Sequence, residues 1–287
     1  MQAGTLSSHL EVAVEAARDA GRLLLERFGQ TQRVRHKGLI DLVTEADEAA
    51  ERAIVDRIAR WFPTDGVLAE EGTTGGSDHT RLWIVDPLDG TTNYAHGYPI
   101  FGVSIAYQVD DVVELGVVYQ PILDELFTAT LGGGARLNGN RIQVSSAETL
   151  LESVVCSGFP YQRDLLESAA TLWRRVVLEA QAVRRDGAAA PDLCYVAMGR
   201  FDGFWERGIQ VWDMAAGALI VAEAGGQLSN YRGGKFDAYS REIVATNGHI
   251  HGPLLDLLRE DDGGTLLPSP SVPPVTKAAE RGSGSSH

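Results

Sequence analysis

Positive charge is in short supply in this chain: 25 Lys and Arg stand against 39 Asp and Glu, a formal net charge of -14 over 287 residues. A general attraction to nucleic acid or to an anionic membrane needs basic faces, so both are excluded as partners. Cysteine is nearly absent. Cys156 and Cys194 lie far apart in apolar surroundings, without a second pair or a histidine at zinc-ligand spacing, and read as buried free thiols. No stretch approaches the roughly 18 apolar residues of a membrane span. The start carries no charged segment followed by an apolar run and a cleavage site, and the expected location is the cytoplasm. Hydrophobic residues make up 44% of the chain, enough for a core and too many for a disordered polymer.

The most informative stretch is Leu82-Trp83-Ile84-Val85-Asp86-Pro87-Leu88-Asp89-Gly90-Thr91-Thr92-Asn93. Four apolar residues read as a buried strand that runs into two carboxylates three apart, with proline between them and glycine closing the turn. Such a junction aims two acids and the Leu88 carbonyl at one point, a set of oxygens suited to a hard cation. Amides following Gly90 would meet an anion on the far side. Taken alone, Asp-Pro and Asp-Gly are also ordinary turn dipeptides and Thr an ordinary cap.

Around this stretch the periodicity alternates between helix and strand. An apolar stripe at Leu10, Ala13, Val14, Ala17, Gly21, Leu24 and Phe28 predicts one helix. A basic linker from Arg33 to Lys37 follows, and Thr44 with Asp47 has capping-box spacing before a second helix with stripe Ala50, Ala53, Ile54, Ile58 and Trp61. A short strand 66–69 then delivers Glu70 and Glu71, and 72–80 reads as a mobile loop. Strands are predicted at 101–107 and 112–119, joined at Asp110-Asp111, and at 125–130 and 142–144 around Asn138-Gly139. The Gly132-Gly133-Gly134 triplet precedes no helix and reads as a hairpin loop, not a phosphate cradle.

The second half opens with a strand at 153–157 and a Gly158-Phe159-Pro160 break. A helix with stripe Leu165, Ala169, Leu172, Trp173 and Val176 follows, then a small-residue helix 188–199, a strand 203–206, a buried helix 213–224 ended by Gly225-Gly226, a strand 242–246 and a helix 253–259. Beyond Asp261 the composition is that of a disordered tail. His249-x-His251 lacks an acidic third partner and reads as a solvated loop pair.

Trp83-Ile84-Val85-Asp86-Pro87-Leu88-Asp89-Gly90-Thr91-Thr92-Asn93-Tyr94 resembles the first signature of the inositol monophosphatase family. Thr44-x-x-Asp47, Glu70-Glu71, and Trp212-Asp213 before a small-residue helix match its other segments in order, over about residues 10 to 258. The resemblance implies an α+β fold, the family's layered αβαβα sandwich. An N-terminal part (1–150) would carry most metal ligands, a C-terminal part (151–260) Asp213 and substrate contacts, and a tail would span 261–287.

The resemblance further implies Mg²⁺, two or three ions, held by Glu70, Asp86, the Leu88 carbonyl, Asp89 and Asp213. Glu70 and Thr91 would serve an attacking water, with Asp47 orienting Thr91. Asp89, Gly90, Thr91, Thr92, Arg184, Gly187, Ala188, Ala189, Glu206 and Asp213 would contact the substrate. Ala188 stands where the family commonly has Ser or Thr, and Pro191 interrupts its Ser-Ala-Ala-Leu-Asp-Leu run. The implied activity is Mg²⁺-dependent hydrolysis of a small phosphate monoester, foremost myo-inositol 1-phosphate, by a lithium-sensitive homodimer. Alternatives are a histidinol-phosphate or 3'(2'),5'-bisphosphate nucleotide phosphatase of the same family, or a regulatory protein-binding role.

Overall fold

The computed structural model describes residues 3–30, 34–36, 42–72 and 74–259. Helix α1 (Ala3–Arg27) is followed by the antiparallel pair β1 (Val34–His36) and β2 (Leu42–Thr44), then α2 (Glu45–Trp61). Next come β3 (Asp65–Ala69), β4 (Thr74–Gly75), β5 (Asp78–Asp89), the short α3 (Thr91–Ala95), β6 (Gly102–Val109), β7 (Val112–Gln120), β8 (Glu125–Thr130), β9 (Gly134–Leu137) and β10 (Asn140–Arg141). The rest comprises β11 (Val154–Ser157), α4 (Leu166–Val177), β12 (Ala182–Arg184), α5 (Ala189–Ala197), β13 (Gly203–Arg207), α6 (Val211–Glu223), β14 (Gln227–Ser229), β15 (Glu242–Thr246) and α7 (His251–Leu258).

Strands β3 to β10 form an eight-stranded sheet in the order β10-β9-β8-β7-β6-β5-β3-β4, antiparallel except where β3 runs parallel to β5. Strands β11 to β15 form a second sheet in the order β12-β11-β13-β15-β14. Alternation along each strand sends its side chains to two faces, and both faces of both sheets are covered. Trp83, Val85, Val103, Ile105 and Val117 pack with Ala13, Ala17, Leu24, Ile54 and Ile58 of α1 and α2. On the opposite face, Ile84, Ala106, Val118 and Phe127 meet Leu193, Val196, Ala216 and Ile220 of α5 and α6, which also cover Phe204, Ile243 and Ala245 of the second sheet. That sheet's outer face, Val155, Trp205 and Val244, packs on Leu172, Val176, Leu254 and Leu258 of α4 and α7. The result is the layered αβαβα sandwich.

Glycine at the crossing of layers sets how close they come. A Cβ at Gly116 of β7 would stand 2.7 Å from the Ala216 carbonyl of α6, so this strand admits the helix only because it is bare there.

Several expectations need correction. The segment 72–80 is not a plain loop: β4 pairs with β3, and β5 already begins at Asp78. The strand after Gly139 is Asn140–Arg141; Ile142 N–H still donates to the Ala135 carbonyl of β9, but the chain then leaves the sheet, Val144 N–H donating to the Ala224 carbonyl beside α6. Trp61 is 61% exposed, because α2 ends there and Phe62 turns inward to stack on His9, ring centroids 3.8 Å apart. His251 is buried, not solvated. It opens α7, with Nδ1 at 2.9 Å from Thr246 Oγ1 and Nε2 at 2.9 Å from Ser229 Oγ. The Gly132-Gly133-Gly134 loop does hold an anion of its own: Gly132 and Gly134 amides donate to the Glu223 carboxylate, both at 2.7 Å. Arg33, Lys37 and the tail beyond Asp261 lie outside the described residues, as does the Thr44 side chain.

Candidate active site

Two parallel strands deliver the first acids. Glu70 follows β3 directly and its N–H donates to the Val85 carbonyl of β5 at 3.1 Å, which sets Glu70 beside Asp86. Carboxylates three apart on a regular strand would face opposite sides of the sheet. Here the β5–β6 register pairs Asp86 with Ser104 and Asp89 with Gly102, so three steps on β5 oppose two on β6. The extra residue is a bulge, tolerated where Pro87 has no N–H to give the ladder. It returns Asp89 to the side of Asp86, and the Leu88 N–H donates to Asp86 Oδ1 at 3.0 Å.

The chain then turns at Gly90, whose φ of 94° and ψ of 35° are left-handed, and enters α3. Thr91 Oγ1 lies 3.0 Å from Asp47 Oδ1 of α2 and 3.0 Å from the Leu88 carbonyl. Asp213 occupies the first turn of α6, where one oxygen accepts the Gln210 N–H at 2.6 Å. It serves as a cap residue while also facing the cleft.

One cleft collects these groups. Glu70, Asp86, Leu88, Asp89, Thr91 and Asp213 line it together with Gly90. Gly187, Ala188, Ala189 and Glu206 line it as well. Thr92 and Arg184 fall outside the lining. Arg184 is the exposed last residue of β12, its guanidinium turned back to the Val183 carbonyl at 3.2 Å, and the cation at the cleft is Arg185. Asp47 is fully buried behind Thr91.

Sequence reasoning passed over Arg185, Tyr161 and Ile209 in the lining. Gly158 and Phe159 were legible only as a strand break. Asn93 was legible only as part of the signature, yet its Nδ2 donates to the Ile100 and Asp186 carbonyls, both at 2.7 Å, and fastens the loop before α5 to α3.

The electrostatics are one-sided. Burial pushes Asp86 well above the usual carboxylate range, and Glu70, Asp89 and Asp213 add like charge. Asp86 and Glu70 are within hydrogen-bond reach, which two carboxyls sustain only by sharing a proton. Burial likewise raises Asp89, with Asp213 the nearest repelling charge and the Ala190 amide working in the opposite direction. Glu206 is raised by burial and then by Asp213. Four carboxylates and a carbonyl, all hard oxygen donors, fit Mg²⁺, which would relieve this repulsion and make the cleft accessible to an anion.

Fold and cleft together define a metal-assisted phosphatase: an acidic pocket whose candidate metal ligands are all oxygens, at the ends of two parallel strands and beside the loop before a buried helix. The chain belongs to the inositol monophosphatase family, whose model matches residues 5–262. It is 46% identical over 256 residues to an inositol-1-monophosphatase of Synechocystis, covering 88% of this chain and 89% of that one. It is 41% identical over 277 residues to Nus factor SuhB of Pseudomonas aeruginosa, covering 93% and 98%. The crystal structure of extragenic suppressor protein suhB from Bartonella henselae superposes with a TM-score of 0.85 at 42% identity, covering 88% of this chain and 99% of that one. The protein is a phosphoric monoester hydrolase dependent on Mg²⁺.

Proposed function

We propose that the protein releases phosphate from myo-inositol 1-phosphate or a closely similar small polyol phosphate. The observation that carries this is that Glu206 lines the same cleft as Asp86 and Asp89, an acceptor suited to sugar hydroxyls beside the acids proposed to serve the phosphate. Glu206 is closely seated, since a Cβ at Gly158 would stand 2.1 Å from its Oε1.

In this reading Glu70, Asp86, the Leu88 carbonyl, Asp89 and Asp213 hold two or three Mg²⁺ ions. The bound metal would polarise the phosphoryl group, lower the pKa of water and balance charge on the leaving oxygen. The chain's own groups do the positioning. Thr91 has a single hydroxyl proton with Asp47 Oδ1 and the Leu88 carbonyl both at 3.0 Å. Donating to Asp47 leaves its lone pairs turned to the cleft, where they hold the attacking water beside Glu70, which accepts a proton from it. Amides of Gly90, Thr91 and Thr92 bind phosphate oxygens at the start of α3. Gly187, Ala188 and Ala189 present backbone to the ring, and Ala188 brings no hydroxyl. A homodimer working in the cytoplasm fits this reading. Among the described residues, no helix is long and apolar enough to cross a membrane.

Phosphate release from inositol 1-phosphate, histidinol phosphate, fructose 1,6-bisphosphate and 3'-phosphoadenosine 5'-phosphate, each with Mg²⁺ and with EDTA, tests it. Metal-dependent turnover led by inositol 1-phosphate is expected. A different leading substrate overturns the substrate and keeps the chemistry. No turnover on any of them favours a regulatory binding role, the reading that the name of the Pseudomonas relative supports.

A further inference from the structure

Beside the loop before α5, three side chains from three segments converge: Cys156 of β11, Asp186 just before Gly187, and Asp192 in the first turn of α5. A ligand atom from each lies within 4.8 Å of the other two. Cys156 and Asp192 are buried, Asp186 half-buried. The cluster also holds an unmet polar atom: Asp192 Oδ1 is sealed from solvent without a hydrogen-bond partner. A buried carboxyl oxygen left without a hydrogen-bond partner is costly, and a bound ion is one of the few ways such an atom is satisfied.

We propose that Cys156, Asp186 and Asp192 form a second metal site, for Zn²⁺, distinct in its chemistry from the all-oxygen cleft. A thiolate selects a borderline-soft ion over Mg²⁺, and three protein ligands with one open position suit four-coordinate zinc. Ligand atoms around tetrahedral zinc stand roughly 3.3–3.8 Å apart, given Zn–S and Zn–O bonds of about 2.3 and 2.0 Å. The cluster therefore needs to contract by at most about 1.5 Å. Binding displaces the Cys156 thiol proton and the Asp192 carboxyl proton, both of which leave to solvent, and gives Asp192 Oδ1 a cation as partner. Burial raises both the Cys156 thiol and the Asp192 carboxyl, so without metal each keeps its proton. The ion would join β11, the loop that carries Gly187, and α5. That loop is already fastened on its other side by the Asn93–Asp186 bond.

The test is titration of the EDTA-treated protein with Co²⁺, read as the near-ultraviolet thiolate-to-cobalt charge-transfer band. Ions in the acid cleft give no such band, because no sulfur lines it. One equivalent of band-forming Co²⁺, displaced by Zn²⁺, is expected. The band should vanish in Cys156→Ala and persist in Asp213→Asn and Cys194→Ala, and Asp186→Asn should weaken it by about tenfold or more. No band in the wild-type protein, or a band surviving in Cys156→Ala, overturns the proposal.

Discussion

Asp89 Oδ2 accepts the backbone N–H of Ala190 at 2.6 Å, so an acid at the end of β5 caps helix α5 from the opposite layer. The helix's own cap position cannot do this. Ala188 has the extended backbone of an N-cap and no side-chain oxygen. Pro191, two residues after the helix start, has no N–H to offer, which leaves Ala190 as the first-turn donor. Both departures from the family run therefore meet at one bond. Pro191 sits where proline is tolerated, in the first turn, and a Cβ at Gly102 would be only 3.0 Å from its Cγ.

The two duties of Asp89 can be separated by substitution. Asp89→Asn keeps an acceptor for Ala190 and removes the charge needed by the metal. Phosphatase activity is expected to fall by about 100-fold or more, with folding preserved. Asp89→Ala should fall equally in activity and lose a further ~1 kcal/mol in stability with the cap. Equal melting temperatures for the two variants would show that the Ala190 bond contributes nothing.

Asp47 and Thr91 form the second separable pair. Asp47→Asn retains a hydrogen-bonding side chain but permits the Thr91 hydroxyl to be the acceptor instead of the donor. The expected result is a kcat lower by about 100-fold with KM little changed, as for a group that positions water and not substrate. Thr91→Val should match it, and combining the two should add little, since they act in one chain.

The strands and helices that carry these residues were legible because their cores repeat at periods of two or near four. The Asp86–Asp89 bulge was not read from the sequence, where Pro87 stood only as part of a turn. The convergence itself was not legible from periodicity: Glu70, Asp86 and Asp213 belong to three elements, and only the family resemblance placed them together. Three-residue strands such as β12 and β14 owe their existence to partners far along the chain and leave no periodic trace. Arg184 and Arg185 show the same limit at a single step. Which of two adjacent arginines reaches the cleft depends on where β12 ends, and pairing with β11 decides that.

Metal should stabilise the fold as well as serve chemistry. Like charge and burial penalise ionised Asp86 and Asp89 in the folded state. At a Mg²⁺ concentration one hundred times the dissociation constant, stability should rise by about 2.7 kcal/mol. For a chain of this size the melting temperature would rise by roughly 4–5 °C over that in EDTA. Asp213→Asn should reduce this increment. A melting temperature indifferent to Mg²⁺ in the wild-type protein would count against metal binding by these acids.

His251 gives a pH dependence unrelated to the cleft. Burial lowers its pKa below the ordinary 6.5, so the folded state favours the neutral ring. A depressed folded-state pKa means stability is full above the unfolded value and is lost as pH falls from about 6.5 through the folded value. The neutral ring has one donor and one acceptor nitrogen for Thr246 and Ser229, and protonation makes both nitrogens donors. Both hydroxyls can still accept, so the loss comes from burying the charge rather than from broken bonds. Urea midpoints measured from pH 7.5 to 5.5 should fall in the wild-type protein and fall less in His251→Gln. Parallel curves would assign the acid limb to other groups.

Gly158 offers the sharpest test of how Glu206 is used. It lies at the end of β11, and its missing side chain is what permits the Glu206 carboxylate to sit against the backbone: a Cβ there would meet Oε1 at 2.1 Å and Oε2 at 2.2 Å. No allowed contact is that short, so in Gly158→Ala the flexible end of Glu206 must move and the core need not. The fold and the metal acids should be unaffected, leaving the Mg²⁺-induced shift in melting temperature at its wild-type value. Because Glu206 is proposed to hold substrate hydroxyls in ground and transition states alike, the displaced carboxylate should raise KM for inositol 1-phosphate by roughly tenfold and leave kcat within a few-fold. Glu206→Gln should do less than Gly158→Ala, since an amide in place still accepts a hydroxyl hydrogen bond. A phosphate ester without hydroxyls near that wall should not distinguish Gly158→Ala from wild type, whereas an equal loss on every substrate would move Glu206 from recognition to the metal site.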